Sequence, residues 1–270
     1  MSNRFSGRVV VVTGASSGIG RCLSIALAKQ GARLALLARR EDRLELLADR
    51  ILSSGGFKPI VCACDVGDWK QVEAARKQIF AELGSIDILV NNAGRGAYGQ
   101  LMHADPSELD AVVRTNLLGA IYVTRVFLPD MIARRNGHIV FVSSVLGELP
   151  APHHAVYGST KFAVTALAES LRHELWTTNI DVTTVEPGLV RSEFATISGT
   201  PDVRFKQLPF KTAEHTAELI VDAIRRKCKI QITDSLSAFS IGVRRHFPGL
   251  FSLLFGLVFR KTVERDSRSS

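Results

Sequence analysis

A tyrosine and a lysine stand four residues apart in the stretch AVYGSTKFAV, at positions 157 and 161. On a helix, this spacing brings both side chains to one face, about one turn apart. A free phenol is a poor acid or base near neutral pH, and a nearby lysine cation stabilises its phenolate and lowers its pKa. Tyr157 and Lys161 are therefore candidates for proton transfer. The alternative is a packing tyrosine beside a surface lysine.

A glycine-rich stretch, TGASSGIG at residues 13–20, follows an apolar run of valines and precedes an amphipathic segment. Glycines at such a turn let the backbone approach a pyrophosphate, and the N-terminus of the following helix favours its charge. The spacing is G-x-x-x-G-x-G rather than the G-x-G-x-x-G of many dinucleotide folds. Tight packing alone could also require these glycines. Their place between a strand and a helix favours a nucleotide site.

The second apolar run ends with Arg39-Arg40 and has no acidic residue at its end. Folds that select NAD usually place an acid there for the ribose 2′-hydroxyl, whereas a 2′-phosphate requires a cation. We therefore expect NADP(H) rather than NAD(H), with Arg39 as the main contact and Arg40 and Ser16 assisting. The alternative is a solvated arginine pair before the helix that begins with Glu41-Asp42.

These candidates lie at the ends of alternating apolar strands and amphipathic helices. Predicted strands cover 8–13, 33–38, 59–63, 86–90, 138–143 and 180–185, and predicted helices cover 18–30, 41–53, 68–83, 106–134, 155–178 and 212–227. Apolar strands joined through helices are parallel and covered on both faces, and crossovers of one hand favour a doubly wound sheet. The sequence predicts an α/β fold: a single doubly wound, Rossmann-type, mostly parallel sheet with helices on both faces.

Composition excludes several classes of protein. The 270 residues are 46% hydrophobic and 22% charged, as in a globular domain. The net charge is +8, but ten basic and three acidic residues from position 225 onward supply +7 of it, so a nucleic-acid-binding body is poorly supported. The four cysteines show neither disulfide-framework nor zinc spacing, so we expect free thiols, no metal and a cytoplasmic protein. The N-terminus carries no signal-peptide pattern.

Three more motifs follow the predicted strands and the long helix: Asn91-Asn92-Ala93-Gly94, Thr115-Asn116-Leu117 and Val142-Ser143-Ser144-Val145. Together with TGASSGIG and Y-x-x-x-K, they make the chain resemble the short-chain dehydrogenase/reductase family from about residue 7 to residue 192. Each motif alone is weak, but all five in this order are specific. The resemblance implies an oxidoreductase that interconverts a ketone or aldehyde and an alcohol by hydride transfer.

The resemblance also implies catalytic roles. Tyr157 would be the general acid and base, and Lys161 would tune it and hold the nicotinamide ribose. Ser144, thirteen residues before the tyrosine, would donate a hydrogen bond to the substrate oxygen in preference to Ser143. Asn116 would fix a water molecule in a proton relay. The alternative from another class is a non-catalytic NADP(H)-sensing protein of the same fold.

Cofactor contacts are implied by the same resemblance. Besides Arg39 and Arg40, they are Gly14, Ser16, Ser17, Gly18, Ile19, Gly20, Asp65, Val66, Asn91, Ala93, Gly94, Tyr157, Lys161, Pro187, Gly188 and Ser192. Ser192 stands where the family often has threonine. Asp65 could instead cap the helix that begins shortly after it.

Substrate choice would depend on residues 95–100, 146–154 and 193–210. These segments are mostly apolar and aromatic, which indicates a lipophilic small-molecule substrate. His153 and His154 border the tyrosine, but in a proline-rich loop we expect them to be exposed rather than ligands.

The C-terminal residues depart from the family pattern. We divide the chain into a dinucleotide-binding catalytic domain, 1–235, including a substrate loop at 192–211, and a basic, apolar extension, 236–270. Leu250–Phe259 is apolar and as a helix would be about 15 Å long, too short to cross a bilayer. It could cover the pocket or another subunit, or contact a membrane surface through 241–261, where Arg244, Arg245, Arg260 and Lys261 would meet anionic headgroups. We prefer the pocket or subunit contact. We also expect a homodimer or homotetramer, paired through helices 106–134 and 155–178.

Overall fold

The computed structural model describes residues 4–191, 193–194 and 210–266, without the side chains of 258–259 and 261–266. The N-terminal half contains β1 (Val9–Thr13), α1 (Gly18–Ala28), β2 (Arg33–Ala38), α2 (Glu41–Ser53), β3 (Ile60–Ala63), α3 (Trp69–Leu83), β4 (Ile88–Asn91), α4 (Pro106–Val113), α5 (Gly119–Arg134) and β5 (Gly137–Val142). The remainder contains α6 (Ala155–Glu174), β6 (Ile180–Glu186), β7 (Val190–Arg191), β8 (Lys211–Thr212), α7 (Ala213–Arg226), β9 (Ile230–Ile232), α8 (Ser235–His246) and α9 (Pro248–Asp266).

Seven of the described strands form one sheet in the order β3-β2-β1-β4-β5-β6-β9. Every neighbouring pair in it is parallel. The predicted fold class is therefore confirmed. The chain reverses direction across the sheet between β3 and β4, so the carboxyl ends of β1 and β4 flank the switch point at which open α/β sheets bind ligands.

Helices cover both faces of the sheet, which explains why the strands read as continuous apolar runs. Helices α3, α5 and α6 enclose one cluster around Phe127 and Phe141, and α1, α2 and α7 enclose the other around Leu23 and Leu27. All four of these side chains are fully buried. The two cores fix the strand ends on which the site is built.

The predicted helix 106–134 is interrupted. Helix α4 ends at Val113, a π-helical turn spans Arg114–Leu118, and α5 starts at Gly119. Single π turns inside α-helices are frequently found at functional sites, and this one carries Asn116. In the described part of the chain, 106–134 is also the one helical stretch long and apolar enough to span a bilayer. Val123 and Phe127 are fully buried against the sheet, as expected of a core helix.

The sequence analysis did not predict the three short strands β7, β8 and β9. Strand β9 has only three residues, all of them half-buried or exposed, so it shows no apolar run. Strands β7 and β8 pair over two residues each. The predicted helix 155–178 ends at Glu174. All four cysteines lie in the described part, and all are free thiols, as predicted.

Candidate active site

The glycine turn packs directly against the loop that follows β4. Gly14 has φ +66°, and a Cβ there would lie 2.8 Å from the Cα of Ala93. A Cβ on Gly20 would lie 2.4 Å from the carbonyl oxygen of Gly14. Only glycine fits at either position, so the tight packing considered from the sequence is real. It also holds the N-terminus of α1 open towards the switch point, next to Gly18 and Ile19.

Thr13 and Asn92 join the two strand ends. The Thr13 hydroxyl accepts hydrogen bonds from the backbone N–H groups of Asn92 (2.9 Å) and Ala93 (3.0 Å). The Asn92 side chain donates to the Thr13 carbonyl oxygen at 2.9 Å. Sequence analysis named Asn92 within its motif but expected cofactor contacts from the residues beside it, Asn91 and Ala93, rather than from Asn92. The sequence did indicate a structural role for Asn92, because a second amide side chain beside Asn91 at a strand end needs a hydrogen-bond partner.

At the adenine side of the turn, Asp65 does not cap a helix. Asp68 is the N-cap of α3 and accepts from the backbone N–H groups of Lys70 and Gln71. The Asp65 carboxylate instead accepts from Gly67 N–H at 2.9 Å, which shapes the loop after β3. The N-cap alternative was therefore wrong. Val66 is buried beside it.

The two arginines after β2 differ in their contacts. Arg40 donates to the hydroxyls of Ser16 (3.1 Å) and Ser17 (2.8 Å) on the glycine turn. Arg39 is exposed and makes no hydrogen bond or ion pair within the described residues. The sequence ranked Arg39 first as the 2′-phosphate contact, and that ranking stays a prediction; of the two arginines, Arg40 is the one that contacts the glycine turn.

The hydroxyls and the ammonium expected to do chemistry lie together at the carboxyl end of β5. Tyr157 and Lys161 start α6, and the Lys161 Nζ atom lies 5.8 Å from the centroid of the Tyr157 ring. Lys161 donates to the Val142 carbonyl oxygen at 2.9 Å. The Ser144 hydroxyl accepts a hydrogen bond from Leu146 N–H at 3.1 Å and lies close enough to the phenol to lower the pKa of Tyr157. The Ser143 hydroxyl instead donates to the Lys161 carbonyl oxygen at 3.0 Å, away from the phenol.

Burial dominates the electrostatics of this group. It raises the pKa of Tyr157 to about 12, against the smaller lowering effect of the Ser144 hydrogen bond. Burial also lowers the pKa of Lys161 to about 8, because a buried ammonium loses its hydration. The sequence predicted that Lys161 would depress the tyrosine pKa. Instead, burial raises that pKa, and the cause that lowers it is the Ser144 hydroxyl rather than the Lys161 cation.

Asn116 is held in place by the backbone it supports. Its carbonyl oxygen accepts from Arg95 N–H at 2.7 Å, and its amide donates to the Arg95 carbonyl oxygen at 2.9 Å. The amide also donates to the Thr160 hydroxyl at 3.0 Å, one residue before Lys161. The π turn thus joins the loop after β4 to the catalytic helix. Gly94 lies between them, since a Cβ there would be 3.6 Å from both Asn116 Oδ1 and Lys161 Nζ.

The turn after β6 is fixed by two residues that lie just before the C-terminal extension. Gly188 N–H donates to the Thr233 hydroxyl at 3.1 Å, and a Cβ on Gly188 would meet Asp234 at 2.3 Å. Pro187 accepts a hydrogen bond from Val145 N–H at 3.0 Å. Ser192 lies outside the described residues. Thr233 and Asp234 were missed, because in the sequence they are far from every motif.

Aromatic rings surround the entrance to Tyr157. The Phe194 and Tyr157 rings are 5.6 Å apart, and the His154 ring is 6.4 Å from Tyr157. His153 and His154 both contact the ring of Tyr98 and are half-buried. The prediction that these histidines are exposed was wrong, since the Tyr98 ring covers them. No group of three potential metal ligands occurs in the described ranges.

These residues fit a nicotinamide dinucleotide. The glycine turn opens a helix N-terminus, Arg40 supplies a cation beside it, and Lys161 supplies hydrogen-bond donors near the strand ends. Asn91 has a buried side-chain oxygen with no partner among the described residues, at the carboxyl end of β4. An unpaired buried acceptor of this kind is available for a ligand donor.

The chain matches the short chain dehydrogenase family over residues 8–200. It is 33% identical over 272 residues to Dehydrogenase/reductase SDR family member 7B of Mus musculus, covering 97% of this chain and 84% of that relative. A short chain dehydrogenase/reductase from Burkholderia phymatum in complex with NAD superposes with a TM-score of 0.83 at 28% identity, covering 91% of this chain and 95% of that one. The alcohol dehydrogenase from the archaeon Thermococcus sibiricus complexed with 5-hydroxy-NADP gives 0.75 at 28% identity, covering 83% and 94%. The chain is a member of the short-chain dehydrogenase/reductase family of oxidoreductases.

Proposed function

We propose that the protein is an NADP(H)-dependent oxidoreductase that interconverts a ketone or aldehyde and the corresponding alcohol. One observation carries the proposal: Ser144, Tyr157 and Lys161 are buried together at the carboxyl end of β5, beside the glycine turn. The relatives of known structure bind NAD in one case and an NADP derivative in another. Arg40, which follows β2 and contacts the glycine turn, is the feature of this chain that favours the 2′-phosphate.

The bound nicotinamide supplies or accepts the hydride. Tyr157 is protonated at neutral pH because burial raises its pKa to about 12, so it can protonate the oxygen of a reduced carbonyl. The Ser144 hydroxyl, next to the phenol, donates a hydrogen bond to that oxygen as negative charge develops. In alcohol oxidation the proton returns to Tyr157, and the Lys161 cation stabilises its phenolate. Asn116 positions the Arg95 backbone beside them and is the proposed anchor for a relay water.

The surroundings of Tyr157 support a lipophilic substrate. Phe194, Tyr98 and His154 place rings around the phenol, and aromatic walls with few polar groups suit an apolar ligand. Most of the predicted substrate loop, residues 195–209, lies outside the described part of the chain.

The function is tested by screening ketones, aldehydes and secondary alcohols while nicotinamide absorbance is followed. On any substrate found, Tyr157→Phe should lower kcat by about 10²–10⁴-fold, the usual contribution of a general acid. Tyr122→Phe is the matched control, since Tyr122 packs against Trp69 on the far side of α5, and it should keep full activity. Unchanged turnover in Tyr157→Phe would refute the mechanism. Tight NADPH binding with no turnover on the whole panel would favour the NADP(H)-sensing alternative.

We also propose that the protein forms a homodimer or homotetramer. Near its end, helix α5 leaves Ile132 42% exposed, beside Pro129 and Ala133, which are also exposed. Static light scattering at micromolar concentration measures the mass directly. A monomer under these conditions would contradict this proposal.

A further inference from the structure

Glu193 lies against the two cations that begin helix α2. Its Oε2 atom is 2.7 Å from Nη1 of Arg43 and 3.5 Å from Nη1 of Arg40. The same Arg40 guanidinium reaches the hydroxyls of Ser16 and Ser17 on the glycine turn. A carboxylate from the segment after β7 is thus joined to the arginine beside the glycine turn.

The residue after Glu193 contacts the catalytic end of the cleft. The Phe194 ring lies 5.6 Å from the Tyr157 ring. Residues 193 and 194 therefore connect the arginines of α2 with the tyrosine of α6. Their side chains are partly exposed, so both contacts can be broken without unfolding the sheet.

We propose that Glu193 moderates the selectivity for NADP(H) by competing with its 2′-phosphate for Arg40 and Arg43. The inference rests on the proposed function, because it takes Arg40 as the phosphate contact. A carboxylate and a phosphate bind a guanidinium in the same way, through charge-assisted hydrogen bonds. NAD(H) has no 2′-phosphate and leaves the Glu193 pairs intact, so Glu193 opposes only the phosphorylated cofactor.

The competition is moderate in size. Arg40, Arg43 and Glu193 keep 37%, 40% and 53% of their side-chain surface exposed, so solvent screens the pairs. Exposed pairs of this kind contribute little, and removing one competitor should tighten NADPH binding by about two- to fivefold.

The experiment measures equilibrium binding of NADPH, NADH and adenosine 2′,5′-bisphosphate to the full chain. Glu193→Gln should tighten NADPH and the bisphosphate by about two- to fivefold and leave NADH unchanged. The gain should shrink in high salt, which screens exposed charges. Glu45→Gln is the matched control, because it removes the same charge from an exposed position of α2, away from the arginine contacts. It should change none of the three affinities.

A double variant distinguishes competition by Glu193 from a general change in the loop that carries it. In Arg43→Gln the closer partner of Glu193 is gone, so adding Glu193→Gln should give a smaller gain than in the unmodified chain. Equal tightening of NADPH and NADH, or no tightening of NADPH in a protein that prefers it, would overturn the inference alone. Equal affinity of the unmodified protein for NADPH and NADH would overturn the proposed NADP(H) dependence, and the inference with it.

Discussion

The candidate active site and the C-terminal helices differ in the kind of side chain that each keeps from solvent or exposes to it. At the centre, polar groups are buried: Lys161 is 4% exposed and Asn116 is 2% exposed. In the extension, apolar groups are exposed: Phe239 is 70% exposed and Leu253 is 62% exposed. Burying a charge such as the Lys161 ammonium and exposing apolar side chains both cost free energy. We propose that a cofactor and a substrate complete the first region and that a further surface covers the second.

The extension itself has two parts. Helix α8 is docked, because Ile241 is buried, Arg244 donates to the Glu148 carbonyl oxygen, and Arg245 pairs with the Glu148 carboxylate at 2.7 Å. Glu148 belongs to the turn that follows Ser144, so α8 supports the active site. Helix α9 carries an exposed apolar stripe at helical spacing, formed by Leu250, Leu253, Leu254 and Leu257.

The largest expected effect is at the centre, in Lys161→Met. Activity should fall by at least about 10²-fold, because the cation that stabilises the phenolate is lost. Stability should rise by about 1–3 kcal/mol, since an apolar side chain of similar length removes the cost of burying a charge without a counter-ion. Urea unfolding and kcat/KM measure the two changes. Lys77→Met, an exposed change on α3, should alter neither. A less stable Lys161→Met protein would show that the ammonium is well compensated.

The sequence predicted the fold around this site and the place of its main residues. It did not predict the long-range contacts or the pKa values. Motif order and apolar runs predicted the sheet, the glycine turn and the place of Tyr157 and Lys161 because those features are local. The packing of Thr233 and Asp234 on Gly188 joins residues more than 40 positions apart, and no local pattern records it. The pKa of Tyr157 depends on burial, which only the assembled structure reveals.

A second effect of Lys161 concerns pH. Burial lowers its pKa to about 8 from the usual 10.5, so between these values the unfolded chain binds a proton that the folded protein releases. Stability should therefore rise with pH across this window, and this rise should be absent in Lys161→Met. Over the same range kcat/KM for carbonyl reduction should fall as the cation is lost. Urea midpoints and initial rates from pH 7 to about 10.5 test both signs. A flat stability profile would mean that Lys161 keeps its usual pKa.

The next effect ranks the two arginines after β2. Arg40→Gln should weaken NADPH binding by about tenfold, because it removes a charge-assisted contact, and Arg39→Gln should weaken it less. The difference follows from Arg40 reaching Ser16 and Ser17 on the glycine turn, while Arg39 is exposed. NADH binding serves as the internal control and should change little in either variant. The reverse ranking would restore the order expected from the sequence.

The smallest effect on turnover is expected from deleting helix α9, whose apolar residues are exposed. Removal of 248–270 deletes α9 and keeps the contacts of α8 with Glu148, so activity on a soluble substrate should stay within about twofold of the unmodified protein. Removal of 236–270 also deletes those contacts and should lower activity further. Comparing the two truncations tests whether α8 contributes to activity and α9 does not.

Removal of 248–270 also tests what covers the exposed leucine stripe on α9. Two of the cations that the bilayer interpretation needs, Arg244 and Arg245, are engaged with Glu148, which weakens the case for headgroup contact. Of the pocket and the subunit contact that we preferred from the sequence, we now propose the subunit contact, and we expect removal of 248–270 to shift the mass in light scattering towards smaller species. Four leucines, each at least 50% exposed, would bury enough apolar surface in an interface to produce this shift. Co-sedimentation with anionic vesicles that weakens in salt, with no change of mass on truncation, would instead identify α9 as a membrane-surface helix.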